Sequence, residues 1–127
     1  NLIKWGQAQG IVVVAYSSFG PQSFIELNSK TAQDTPPLFT HPTIKKIAAA
    51  HSASTAQILL RWATQNDICI IPKSSKKERL LENLQSDSFD LTDEELAEID
   101  HLDQNLRFND PWDWVQGDIK KKIQTFL

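Results

Sequence analysis

An α/β fold with a parallel sheet is predicted by three observations: the apolar strand runs Ile11–Tyr16 and Ile68–Ile71, the helical segment between them, and the absence of polar alternation in either run. A strand covered by helices on both faces reads as a continuous hydrophobic run, whereas a strand with one wet face alternates. Two such strands joined by a helical crossover make a βαβ unit, but two alone cannot cover their outer edges or bury both faces. The pattern therefore predicts the closing part of a larger α/β sheet or barrel, with sites on the loops that follow the strands' C-terminal ends.

The elements follow in order. Leu2–Gln9 has mixed helical character and stops at Gly10, a helix C-terminal signal, so a helix feeds the first strand. Ser17–Pro37 reads as a long polar connection punctuated by Gly20-Pro21 and Pro36-Pro37, and connections of that length usually carry function. Pro42 marks the start of a helix that includes Ile44, Ile47 and Ala48. Ser54 with Gln57 forms a capping box opening a helix over Thr55–Thr64, whose apolar stripe is Ile58, Leu59 and Trp62. Ser75 with Glu78 predicts a second box, on a helix whose Leu80, Leu81 and Leu84 turn inward. Thr92 with Glu95 predicts a third, on a helix whose Leu96, Ile99 and Leu102 share a face. From Asp103 the tail, with Asn109-Asp110-Pro111-Trp112-Asp113-Trp114, is too irregular for a helix and too aromatic for a linker.

Composition narrows the function. The chain has 127 residues, 40% hydrophobic and 23% charged, with a formal net charge of -3, which is ordinary for a soluble domain and argues against a membrane span or a polynucleotide surface. Cys69, the single cysteine, cannot form an internal disulfide; it is expected to be a buried small hydrophobe in a cytoplasmic protein. His41, His51 and His101 stand in no metal-ligand spacing and are expected to be surface or structural, so no metal is expected. Methionine is absent and the first residues read as the middle or end of a helix, so residues 1–127 are expected to be the C-terminal portion of one domain whose N-terminal portion is missing.

The chemistry concentrates at Ile70–Asn83. Lys73, Ser74, Lys76 and Arg79 crowd donors and positive charge around a helix start, where unpaired backbone N–H groups and the macrodipole already favour an anion. Arg79 and Asn83 lie one turn apart on one face. On a mildly acidic chain such a local cluster fits a nucleotide phosphate better than a polynucleotide. Tyr16-Ser17-Ser18, at the end of the first strand, should face the same crevice.

Read together, Val14-Ala15-Tyr16-Ser17-Ser18-Phe19-Gly20-Pro21-Gln22-Ser23-Phe24, Leu59-Leu60-Arg61-Trp62-Ala63, Ile71-Pro72-Lys73-Ser74 with Glu78-Arg79 and Asn83, and Leu106–Trp114 resemble the aldo-keto reductases, and within them the fungal D-xylose (aldose) reductases. The resemblance covers nearly the whole chain, short of its last residues. It implies an α/β fold that is a partial (β/α)8 TIM barrel: the last two strands, their helices and the C-terminal loop. It also implies the cofactor NADPH, with NADH admitted as an alternative, and an aldehyde or sugar substrate in the complete enzyme.

Carried over residue by residue, the resemblance implies that Tyr16 stacks on the nicotinamide ring. Ser17, Phe19 and Gln22 would line the pyrophosphate passage, Glu26 would accept hydrogen bonds from the adenosine ribose, and Phe39 would pack on the adenine. Lys73, Ser74 and Arg79, beside Ser75, would hold the 2'-phosphate, and Asn83 would reach the adenine edge. Asn109 and Trp114 would belong to the substrate pocket, although Trp112 and Trp114 could equally anchor the tail. The family's proton-donating tyrosine and its lysine, aspartate and histidine partners have no counterpart here, and Tyr16 is not that acid. No catalytic residue is therefore assigned, and the chain alone is expected to be inactive.

Where related xylose reductases commonly carry Asn and Leu-Pro, this chain has Ser75 and Lys76-Lys77, and the extra charge is expected to favour NADPH. The alternative reading is a non-catalytic truncated module that binds adenine nucleotide or offers its open strand edge to a partner chain. Oligomerisation is left open.

Overall fold

A helix, α1 (Leu2–Ala8), ends in a turn where Gly10 adopts φ +75°, and the chain passes from there into the strand β1 (Val13–Ala15). The structure, a computed structural model, describes residues 2–25 and 29–109. The expected polar connection Ser17–Pro37 contains, among its described residues, two short helices, α2 (Gln22–Ile25) and α3 (Lys30–Asp34), and a 3₁₀ turn at Leu38–Thr40 follows it. Pro42 takes the first position of α4 (Pro42–Ala50), and the Thr43 N–H donates to His41 Nδ1 at 3.3 Å to cap it.

The second half follows its local signals closely. α5 (Thr55–Gln65) opens on the predicted capping box: the Gln57 N–H donates to Ser54 Oγ, and the Ser54 N–H donates to Gln57 Oε1. Next come β2 (Ile68–Ile70), α6 (Lys77–Leu84), a 3₁₀ turn at Gln85–Asp87, and α7 (Asp93–Asp100), which opens on the reciprocal Thr92–Glu95 box.

β1 and β2 pair in parallel with Val13 opposite Ile68, Val14 opposite Cys69 and Ala15 opposite Ile70. Ile68 is buried, and Leu60 and Ala63 of α5 are buried beside the sheet. The core lies among the helices: Ile44, Ile47 and Ala48 of α4 meet Ile58 and Leu59 of α5, Ile99 of α7, and Leu91. Polar ties reinforce it. His51 Nε2 lies 2.9 Å from a Glu95 carboxylate oxygen, joining the end of α4 to the start of α7, and Lys46 pairs with Glu98 at 2.9 Å.

Four expectations are corrected. The strands are not covered on both faces: Val12 and Val14 are exposed, as is Ile71 just past β2, because the described residues place helices against only one side of the sheet. Cys69 shares the open face with Val14 and is exposed, not buried. Leu80, Leu81 and Leu84 of α6 are exposed as well, so no described element covers their side of the helix. The Ser75–Glu78 capping box does not form: the Lys76 N–H donates to Ser74 Oγ at 3.2 Å, and α6 begins one residue after Lys76 without a side-chain cap. Two adjacent serines compete for the turn, and the one closer to the strand takes it.

Candidate functional site

Parallel pairing that ends at Ala15 and Ile70 sends the chain off the same end of the sheet twice, at Tyr16 and at Ile71. The loop following β1 turns sharply. Ser17 holds φ 55°, in the left-handed region, and the Ser18 hydroxyl donates back to the Ala15 carbonyl at 3.4 Å. Tyr16 remains 60% exposed, its ring available to a flat ligand.

The segment after α7 returns to this loop. Asn109 Nδ2 donates to the Tyr16 hydroxyl at 2.9 Å, and the rings of Phe24 and Phe108 stack with centroids 5.8 Å apart at 20°. Tyr16, Ser17, Gly20, Arg107 and Asn109 line an open cavity of about 510 Å³. A larger cavity of about 790 Å³ lies between α1, Trp62 of α5 and residues 99–108, and no described member of the predicted site lines it.

The loop following β2 carries the residues expected to hold a phosphate, and none of them lines the cavity beside Tyr16. Ser74 spends its hydroxyl oxygen on the Lys76 N–H. The first turn of α6 has no side-chain cap, which leaves its leading backbone N–H groups for an external acceptor. Lys73, Lys76, Lys77 and Arg79 are exposed, and among the described residues none sits within ion-pairing distance of a carboxylate. Glu78 in that turn offsets part of their charge. The donor set suits a phosphate bearing two negative charges.

A sequence model described as the Aldo/keto reductase family matches residues 1–104. The chain belongs to the aldo/keto reductase family. Over 119 residues it is 61% identical to the NAD(P)H-dependent D-xylose reductase of Kluyveromyces lactis, a match covering 93% of this chain and 36% of that protein. It is 57% identical over 127 residues to the NADPH-dependent D-xylose reductase of Candida boidinii, covering 100% of this chain and 38% of that one. It is 55% identical over 128 residues to an NADPH-dependent aldose reductase of Saccharomyces cerevisiae, covering 99% and 38%. The chain thus spans little more than a third of the length of the curated relatives it matches.

Of the residues expected from family resemblance, Tyr16, Ser17 and Asn109 come together around one cavity, and Lys73, Ser74, Ser75, Arg79 and Asn83 gather on the β2–α6 loop and helix. Phe19 and Phe39 also meet, with ring centroids 5.2 Å apart, but both are half-buried against the helical core. Gln22 is exposed at the start of α2. Glu26 and Trp114 lie outside the described residues, as does Trp112. Five cavity residues had no site role predicted from the sequence: Gly20, Phe24, Leu106, Arg107 and Phe108. Leu106, Arg107 and Phe108 lie within three positions of Asn109, and Phe24 and Phe108 are aromatic.

Proposed function

We propose that this chain is part of an NAD(P)H-dependent reductase of aldehydes or aldoses such as xylose. In this reading residues 1–127 supply the last two strands of a (β/α)8 barrel with their helices and C-terminal loop. The observation that carries it is the exposed Tyr16 ring at the end of β1, with Asn109 donating to its hydroxyl from the returning segment. Family membership and the printed activities of the relatives support the same reading. The exposed Val12, Val14, Ile71 and Leu84 suit a sheet continued by further strands and helices.

The cofactor, when bound, supplies a hydride to a carbonyl carbon. Tyr16 offers its ring face to the nicotinamide and excludes water from one side of it. Asn109 steadies the Tyr16 phenol and borders the substrate end of the cavity. Lys73, Arg79 and the uncapped N–H groups of α6 hold the 2'-phosphate, and Ser74 joins them by turning its hydroxyl proton away from the Lys76 carbonyl, to which it donates at 3.4 Å. Proton donation to the carbonyl oxygen is the step for which this chain offers no residue, so the 127-residue chain binds cofactor without turnover.

Thermal unfolding of the purified chain with and without NADPH, alongside an assay for xylose-dependent NADPH oxidation, tests both halves. A midpoint raised by NADPH with no oxidation is the expected result, since a ligand bound only to the folded state must stabilise it. An unmoved midpoint at saturating NADPH sinks the cofactor site, and measurable turnover sinks the claim of inactivity. The exposed apolar sheet face favours a second reading, a non-catalytic module that associates with another chain through it. Co-elution with a partner on size exclusion, independent of nucleotide, would support that reading instead.

A further inference from the structure

α6 carries Arg79 and Asn83, yet none of its residues is buried and its leucines face away from the body. Hydrophobic packing is therefore a poor explanation of why it stands where it does. A polar stripe on α5 fills that role. Gln57, Arg61 and Gln65 recur every four residues on one helix face, and each reaches across to the segment 82–91.

Gln57 Nε2 donates to the Glu82 carbonyl inside α6 at 3.1 Å, while its Oε1 accepts from the Ser54 N–H at 2.9 Å, so one amide both closes the α5 cap and holds the neighbouring helix. Arg61 grips the turn following α6, with one terminal nitrogen 3.1 Å from Asp87 and the other on Asp90. The Arg61 side chain is only 16% exposed, whereas its Asp87 and Asp90 partners are 67% and 80% exposed, so a largely covered guanidinium reaches out to two carboxylates at the surface. Gln65 exchanges two bonds with the Leu91 backbone, accepting at 2.6 Å and donating at 3.1 Å. Between these ties, the buried Ser86 hydroxyl donates to the Asn83 carbonyl at 2.7 Å, fixing the last turn of α6 under Asn83.

We propose that Gln57 and Arg61 are positioning residues for nucleotide discrimination: they set the place of α6, and through it the grip of Arg79 on the 2'-phosphate of the adenosine ribose. This inference rests on the reading that the β2–α6 loop holds the 2'-phosphate. Neither residue touches the ligand in that reading, so their effect should fall on the ligand with the 2'-phosphate and spare the one without it.

The test titrates NADP⁺ and NAD⁺ into the full 127-residue chain by calorimetry, for the native protein, Gln57→Glu, Arg61→Lys and Arg79→Ala. Gln57→Glu keeps the oxygen that caps α5 but sets a carboxylate against the Glu82 carbonyl, and Arg61→Lys keeps the charge but loses the two-pronged grip. Both variants should weaken NADP⁺ binding about three- to tenfold, with NAD⁺ binding changed less than about twofold. Amide exchange should quicken at Leu80–Asn83 while remaining slow at Ile44 and Ile47, a readout that does not depend on ligand. Equal loss for both nucleotides, or unchanged exchange in α6, overturns the proposal. An Arg79→Ala chain that binds NADP⁺ as the native one does overturns the phosphate site itself, and the proposal falls with it. Loss in Arg79→Ala with none in Gln57→Glu or Arg61→Lys overturns the positioning role alone.

Discussion

The Asn109 side-chain amide and the Tyr16 hydroxyl are joined by a 2.9 Å hydrogen bond, although the two residues are 93 positions apart. One comes from the end of the first strand and the other from the segment that follows the last described helix, so this contact ties the returning segment to the β1 loop.

Substituting Tyr16 separates the hydroxyl from the ring. Tyr16→Phe removes an exposed hydrogen bond and keeps the stacking surface, so nicotinamide nucleotide binding should stay within about twofold of native. Tyr16→Ala removes the ring face and should weaken binding about three- to tenfold, the effect of one aromatic pair. Calorimetric titration with NADP⁺ checks both. Equal losses in the two variants would show that the hydroxyl and its Asn109 bond, not the ring, hold the ligand.

Charge beside the phosphate position gives a second expectation. Lys76 and Lys77 are exposed, so their field acts through solvent and is screened by salt. Lys76→Ala combined with Lys77→Ala should reduce the preference for NADPH over NADH by about two- to fivefold at low salt, and by less at about 0.5 M salt. Binding constants for both cofactors at two ionic strengths measure this, and a preference independent of both lysines would remove them from the argument.

Gly20 tests the β1 loop. It adopts φ +64°, and a Cβ there would lie 2.8 Å from Leu38 Cδ1 and 3.4 Å from Leu38 Cγ. Gly20→Ala therefore meets both a left-handed backbone and a side chain packed on the core, and should cost about 1–3 kcal/mol. Chemical denaturation reads the change directly. Because Gly20 also lines the cavity with Tyr16, nucleotide affinity should fall in the same variant.

What the sequence made legible was local. Ser54 with Gln57, Thr92 with Glu95, Pro42 and Gly10 all act within a few residues of their own position, and each marks the boundary it was expected to mark. The order of helices and strands and the parallel crossover followed from these signals and from apolar runs. Burial did not follow, because a run such as Val12–Val14 states a preference for cover without stating what covers it. The same holds for Cys69 and for Leu80, Leu81 and Leu84. Ser75 failed as a cap for a narrower reason: Ser74 beside it offered the same chemistry one residue earlier. In the site, the cation cluster after β2 was visible in sequence, but the pairings Asn109–Tyr16 and Phe24–Phe108 join distant residues with no local mark. Family resemblance named Tyr16 and Asn109, and only the fold brings them together.

The tie between His51 and Glu95 makes stability depend on pH. Burial alone would push the Glu95 carboxyl up, but the Thr92 backbone N–H and the His51 ring together outweigh it and hold the carboxyl below its ordinary value. A carboxyl depressed in the folded state stabilises that state above its unfolded pKa of about 4.3, and the contribution is lost as pH falls through the lower folded value. Glu95→Gln preserves a side chain able to close the Thr92 capping box while removing the charge. The native chain should therefore melt higher than Glu95→Gln at pH 6, and the gap should narrow as pH falls below about 4.3. Melting curves of both proteins across that range decide it: a gap that stays constant through the acid limb would mean that the carboxylate's charge has no part in joining α4 to α7.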